Sequence, residues 1–113
     1  MLDYQTALTV WNTLQEVFLV RCEENPNAHE FFEEFLHSAV DYAAIRTNWS
    51  FMTTAEQLNQ DHYRTVHHDA FMARLQAVCR ICGITDLETW MPDRKTKGDF
   101  ACYITAFLGL SQR

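Results

Sequence analysis

Asp61, Arg64 and His68 stand at i, i+3 and i+7, a spacing that sets a carboxylate, a guanidinium and an imidazole along one side of two helical turns. These are the residue types of charge-assisted recognition and proton transfer. On a helix, Arg64 would bridge Asp61 and lie beside His68, and His68 would serve as a general base or ligand contact oriented by Asp61. The same stripe runs on into Phe71, Leu75, Val78 and Cys82, so the trio is expected to point at the core. Arg46, on an apolar stripe of the preceding helix, would join it. A structural reading competes: a buried arginine needs a carboxylate and further acceptors, and such a network locks helix register without any ligand. No residue is placed as a nucleophile to complete a catalytic set.

Other candidate chemistry is weaker. His62, His67, His68 and Asp69 are metal-ligand types within two turns, but His67 and His68 project about 100° apart on a helix and Arg64 repels a cation. Glu34 and His37 have the Glu-x-x-His spacing of di-iron bundles, which require two such motifs, and the rest of that face reads as solvated. Cys79 and Cys82 form one Cys-x-x-Cys inside a helical pattern; with Cys22 and Cys102 they read as small buried hydrophobes and reduced thiols. Glycine-rich phosphate loops, Gly-x-Ser-x-Gly elbows and His-Glu-x-x-His are missing from the sequence. No metal or cofactor is expected.

These side chains need helices to position them. With 3 Gly and 2 Pro in 113 residues and 48% hydrophobic content, the composition suits one all-α domain with a core of its own. The first helix is expected from Asp3, as N-cap, to Glu23, with Ala7, Val10, Trp11, Leu14, Val17 and Phe18 on one arc. The second follows Asn27, whose spacing to Glu30 is that of a capping box, and carries Phe31, Phe32, Phe35, Ala39, Tyr42, Arg46 and Trp49. The third starts at Thr53 with Glu56 as its capping partner and runs to Cys82, where Gly83 stops it. Thr85 and Glu88 repeat the box before a short turn through Trp90. A last helix begins between Asp93 and Asp99, ends near Leu110, and is apolar nearly all round, as for an element surrounded by others. The expected fold is thus a bundle of four main helices plus one short helix, with a long central third helix.

That third helix has a second apolar arc, Tyr63, Val66, Ala70, Ala73, Ala77 and Ile81, opposite the Phe71 stripe. Either the helix is central and covered on both sides, or this arc meets another subunit. Trp90, beside Met91 and Pro92, is a further candidate anchor for a partner.

The net charge of −6 argues against general affinity for nucleic-acid phosphates or anionic lipid, and the run Arg94, Lys95 and Lys97 reads as a solvated loop. Mimicry of nucleic acid by an acidic surface is allowed by the charge, though acidic runs are limited to Glu23-Glu24 and Glu33-Glu34. The longest apolar-rich run, Phe100 to Leu110, is too short to span a bilayer, and no basic segment followed by an apolar core opens the chain; a cytoplasmic protein is expected.

Two segments, Arg64 to Phe71 and Asp93-Arg94 followed by Gly98 to Ala101, resemble patterns in small helical proteins of Gram-positive bacteria and their mobile elements, grouped as domains of unknown function. The resemblance implies a bacterial, cytosolic, all-helical protein, groups Asp61, Arg64, His68, Asp69, Arg94 and Asp99 as one set, and carries no catalytic role. The leading expectation is a non-enzymatic interaction or regulatory protein acting on a protein partner or on itself as a homodimer. The alternative is a small-molecule-binding or metal-dependent enzyme with its site at Asp61, Arg64 and His68. In the first case the trio is buried, mutually bonded and without a cavity; in the second it lines an open pocket.

Overall fold

The computed structural model describes residues 2–84 and 87–111, and among these the secondary structure is helical throughout. Five helices follow in order: α1 (Tyr4–Glu24), α2 (Pro26–Trp49), α3 (Thr54–Ile81), α4 (Leu87–Trp90) and α5 (Arg94–Ser111). This is the expected all-α bundle of four long helices and one short one. No helix among the described residues is long and apolar enough to cross a membrane.

Side chains set the ends of these helices. Asp3 accepts the Thr6 amide at 2.7 Å to start α1. Thr53 and Glu56 form the complete capping box that opens α3, with each side chain bonded to the other's backbone N–H. Those bonds hold the Glu56 carboxyl below its usual pKa. Gly83, at φ +74°, follows the end of α3 in the left-handed region that suits glycine. The start of α2 corrects the expected cap: Asn25, not Asn27, is the N-cap, accepting the Asn27 amide at 3.1 Å, and Pro26 sits in the first turn, where its missing N–H costs nothing. Helix α5 opens on Asp93, whose carboxylate accepts the Thr96 amide at 2.8 Å. The expected Thr85–Glu88 box involves Thr85, outside the described residues.

The middle place expected for the third helix falls to α2, which packs against α1, α3 and α5. Helix α3 is the longest element, but no residue of 54–67 is buried; it docks through His68, Phe71, Leu75, Val78 and Cys79. Its first half is hydrophilic apart from Ala55, Leu58, Tyr63 and Val66, too few to make a stripe that packing could cover. Helix α5 is likewise covered on one side: Phe100, Ala101, Ile104 and Phe107 are buried, whereas Ala106 is exposed.

The core is threaded by a run of aromatic rings. Phe18 stacks on Phe32 at 4.4 Å between centroids, Phe32 meets Phe35 at 5.7 Å, Phe35 stacks on Phe71 at 5.8 Å, and Phe71 stacks on Tyr42 at 6.0 Å. Tyr42 then meets the edge of His68 at 5.3 Å. Offset and edge-on pairs of this kind add about 0.5–1.5 kcal/mol each beyond their buried area. The run ends at an imidazole, and there the interior opens to a cleft.

Candidate functional site

The cleft, of about 420 Å³, lies between α2, α3 and the first turn of α5. Helix α2 gives it Tyr42 and Arg46, one turn apart; α3 gives Asp61, Arg64, Thr65 and His68; α5 gives Arg94 and Lys95. Four cationic side chains and one carboxylate therefore line it, in a chain whose net charge is −6.

Arg46 is the most firmly held of the four. Its Nη2 donates to Asp99 Oδ1 at 3.0 Å, its Nη1 lies 3.9 Å from Cys102 Sγ, and its guanidinium carbon is 6.0 Å from the centre of the Tyr42 ring. Gly98 makes this fit possible, since a Cβ there would stand 2.8 Å from Nη1. Asp99 Oδ2 is buried and lacks a hydrogen-bond partner among the described residues. Arg64 is half-exposed, with its guanidinium carbon 4.2 Å from the Trp49 ring, a close cation–π contact that fixes its direction.

His68 is the buried floor of the site. Its Nδ1 is 3.0 Å from Asp69 Oδ1, and Arg94 lies across the ring, with Nε 3.3 Å from Nε2 and Nη2 3.1 Å from Nδ1. A ring that donates from Nδ1 to Asp69 and accepts at Nε2 from Arg94 satisfies the 3.0 Å and 3.3 Å contacts and leaves the 3.1 Å approach of Nη2 to Nδ1 outside the hydrogen bonding. The Tyr42 hydroxyl is pushed above its usual pKa by burial, an effect opposed by the charges of Arg46, Arg64 and Arg94. Three guanidiniums from three helices thus act on one phenol, which stays a neutral hydrogen-bonding group.

Asp61, Arg64 and His68 do share one side of α3, and Arg46 does face them, but the trio does not point into the core. Asp61 and Arg64 keep 60% and 41% of their side chains exposed, and only His68 is buried. The expected internal network is also rearranged. Arg64 approaches Asp61 at a long 3.4 Å, and His68 takes its partners from Asp69 and Arg94 in place of Asp61. Asp99 pairs with Arg46 on α2 and Arg94 reaches α3, so the six residues grouped by resemblance all sit at or beside this cleft. Lys95 and Tyr42 were not legible as site residues. Lys95 belonged to a run that looks like a solvated loop until α5 is known to begin at Arg94, and Tyr42 has the spacing of a core residue.

On the other side of the α2–α3 seam is a second hollow of about 360 Å³, where Glu30, Glu33, Glu34 and Asp41 of α2 meet Val66, Ala70 and Arg74 of α3. His37 lines it too, on the solvated face expected of the Glu-x-x-His pattern. The second apolar arc of α3 borders this hollow in part: Tyr63, Val66 and Ala73 are exposed, and Ala70, Ala77 and Ile81 are half-buried. Trp90 is half-buried against the core. Among the described residues no disulfide forms: Cys79 and Cys82 are buried, and Cys22 and Cys102 half-buried. Among the described residues no three His, Cys, Asp or Glu side chains converge as for a metal ion. No family model, curated protein or solved structure matches the chain.

Proposed function

We propose that the protein binds a small molecule carrying an oxyanion, a phosphate or a carboxylate, in the cleft between α2, α3 and the start of α5. The observation that carries this reading is the convergence of Arg46, Arg64, Arg94 and Lys95 in one cleft of an otherwise acidic chain, with Asp61 lining it, Asp99 paired to Arg46 and Asp69 beside Arg94. The four cations still outnumber these carboxylates, and an anion seated among them accepts their hydrogen bonds and offsets the remaining repulsion. Arg46 and Arg64 are held by neighbours before any ligand arrives, so little side-chain freedom is lost on binding. Tyr42 and His68 add further hydrogen-bonding groups at the floor. Calorimetric titration with inorganic phosphate and with acetate at low salt tests the reading. Saturable binding is expected, weakened at least about tenfold, or 1.4 kcal/mol, in Arg64→Gln; no binding of either anion to wild type removes it.

A second reading, contact with a protein partner or a second copy of the chain, is favoured by Tyr63 and Val66, which leave half of their surfaces open, and by Leu58 and Phe51, which leave more. Sedimentation equilibrium on wild type beside Val66→Glu tests it: a concentration-dependent dimer abolished by the substitution supports it, and a monomer in both removes self-association.

A further inference from the structure

We infer that the ligand of the cationic cleft is amphipathic, an oxyanion head bearing a short hydrocarbon tail, with the tail lying beyond His68. The inference rests on the anion reading above and adds the nature of the rest of the molecule. Residues 61, 64, 65 and 68 line the cationic cleft, and 68, 72, 75 and 76 line a second hollow of about 290 Å³. At steps of three or four these positions form one stripe of α3, so the two hollows follow each other along a trough about 22 Å long at 1.5 Å per residue. Arg94 lines both hollows as His68 does, which makes this pair the waist between them.

The lining changes character across the waist. Beyond it Met72, Leu75 and Leu87 form an apolar wall, with Leu75 and Leu87 themselves buried. The one cation there besides Arg94, Lys97, is bound to Glu88 at 2.8 Å, so that end has no unanswered positive charge for a second anion. Hydrocarbon gains from such a wall by leaving water, and Met72, half-buried and flexible, can adjust to its shape. The distance suits a short tail, since Met72 lies one turn past His68, about 6 Å along the axis. Arg94 does not block the way: its side chain is 76% exposed and can lift from the imidazole toward the head of the ligand with little loss of buried surface. The Tyr42 and His68 rings would then flank the first carbons of the tail.

The test is titration of the full chain with n-alkyl phosphates and n-alkanoates of one, four and six carbons. Each methylene reaching the apolar wall raises affinity by up to about fourfold. A gain of at least about tenfold from one to four carbons is expected, with a heat-capacity change that grows more negative along the series. Met72→Gln should flatten the series and leave the one-carbon ligands unchanged. Equal affinity across the wild-type series for a head group that does bind overturns the tail and leaves the anion site standing. Failure of every member to bind overturns both.

Discussion

Two hollows flank the seam between α2 and α3, and their charges are opposite. One gathers Arg46, Arg64, Arg94 and Lys95 against Asp61; the other gathers Glu30, Glu33, Glu34 and Asp41 against Arg74. The residues responsible are near neighbours in sequence: Asp41 faces one hollow and Tyr42 the other, and Thr65 and Val66 divide the same way. A step of about 100° on a helix suffices for this, so two helices packed side by side can carry separate fields on their two flanks. What distinguishes the cationic side is a third wall. The start of α5 closes it with Arg94 and Lys95 and braces Arg46 with Asp99, whereas none of the described residues lining the acidic side comes from α5. The acidic hollow is a solvated groove; the cationic one is a braced site.

If bracing is the difference, removing it should cost stability on one flank only. Arg46→Ala strands the Asp99 carboxylate, already short of a partner at Oδ2, and should destabilise the fold by about 2–3 kcal/mol, below the 3–5 of a fully buried pair because both partners keep some exposure. Glu33→Gln on the acidic flank should change stability by no more than about 0.5 kcal/mol. Urea unfolding of both variants measures the contrast, and equal losses would mean that the two flanks are built alike. For binding, Arg64→Glu should weaken phosphate at least about tenfold, or 1.4 kcal/mol, while Glu34→Gln leaves it within about twofold. Equal responses by calorimetry would point to nonspecific attraction by the whole surface. Raising salt should weaken the binding too, since part of it is screened charge.

Gly98→Ala probes the brace more gently. Its new Cβ would meet the Arg46 guanidinium at 2.8–3.2 Å, and because that contact is the end of a flexible side chain, the arginine can move. A loss of about 1 kcal/mol is expected, at the low end of overpacking costs, with phosphate affinity falling by less than in Arg64→Glu. Unchanged stability and affinity would show that Arg46 has other positions as good as the one it holds.

Much of this was legible in the sequence, for reasons that are local. Asp3, the Thr53–Glu56 box and Gly83 mark helix ends because each satisfies or terminates a single turn. Asp61, Arg64 and His68 fall together because helical spacing puts them there, and Phe71, Leu75 and Val78 go to the core by the same rule. What was hidden depends on partners far along the chain. Whether Arg64 is buried depends on what covers the first half of α3, and among the described residues the Trp49 ring covers Arg64 only in part. The partners of His68 come from its sequence neighbour Asp69 and from Arg94, 26 residues on. That α2 and not α3 is central follows from α1 and α5 both choosing α2, which no periodicity within α3 reveals. At the start of α2, two Asn caps two residues apart compete, and Pro26 decides for the first because it is preorganised for the opening turn.

The mildest test concerns the outer arc of α3, on the flank away from the cleft. Ala73 is exposed, so Ala73→Glu brings no charge into the core, and its main cost is repulsion from Asp69 one turn earlier, about 0.2–0.5 kcal/mol. Thermal unfolding should therefore shift by only a degree or two, and phosphate affinity should stay within about twofold because residue 73 does not line the cationic cleft. The contrast with Phe71, two residues earlier and fully buried, where Ala should cost about 3–5 kcal/mol, would set the two faces of one helix side by side. A large loss from Ala73→Glu would mean that the arc is covered in solution at a position that the described residues leave exposed.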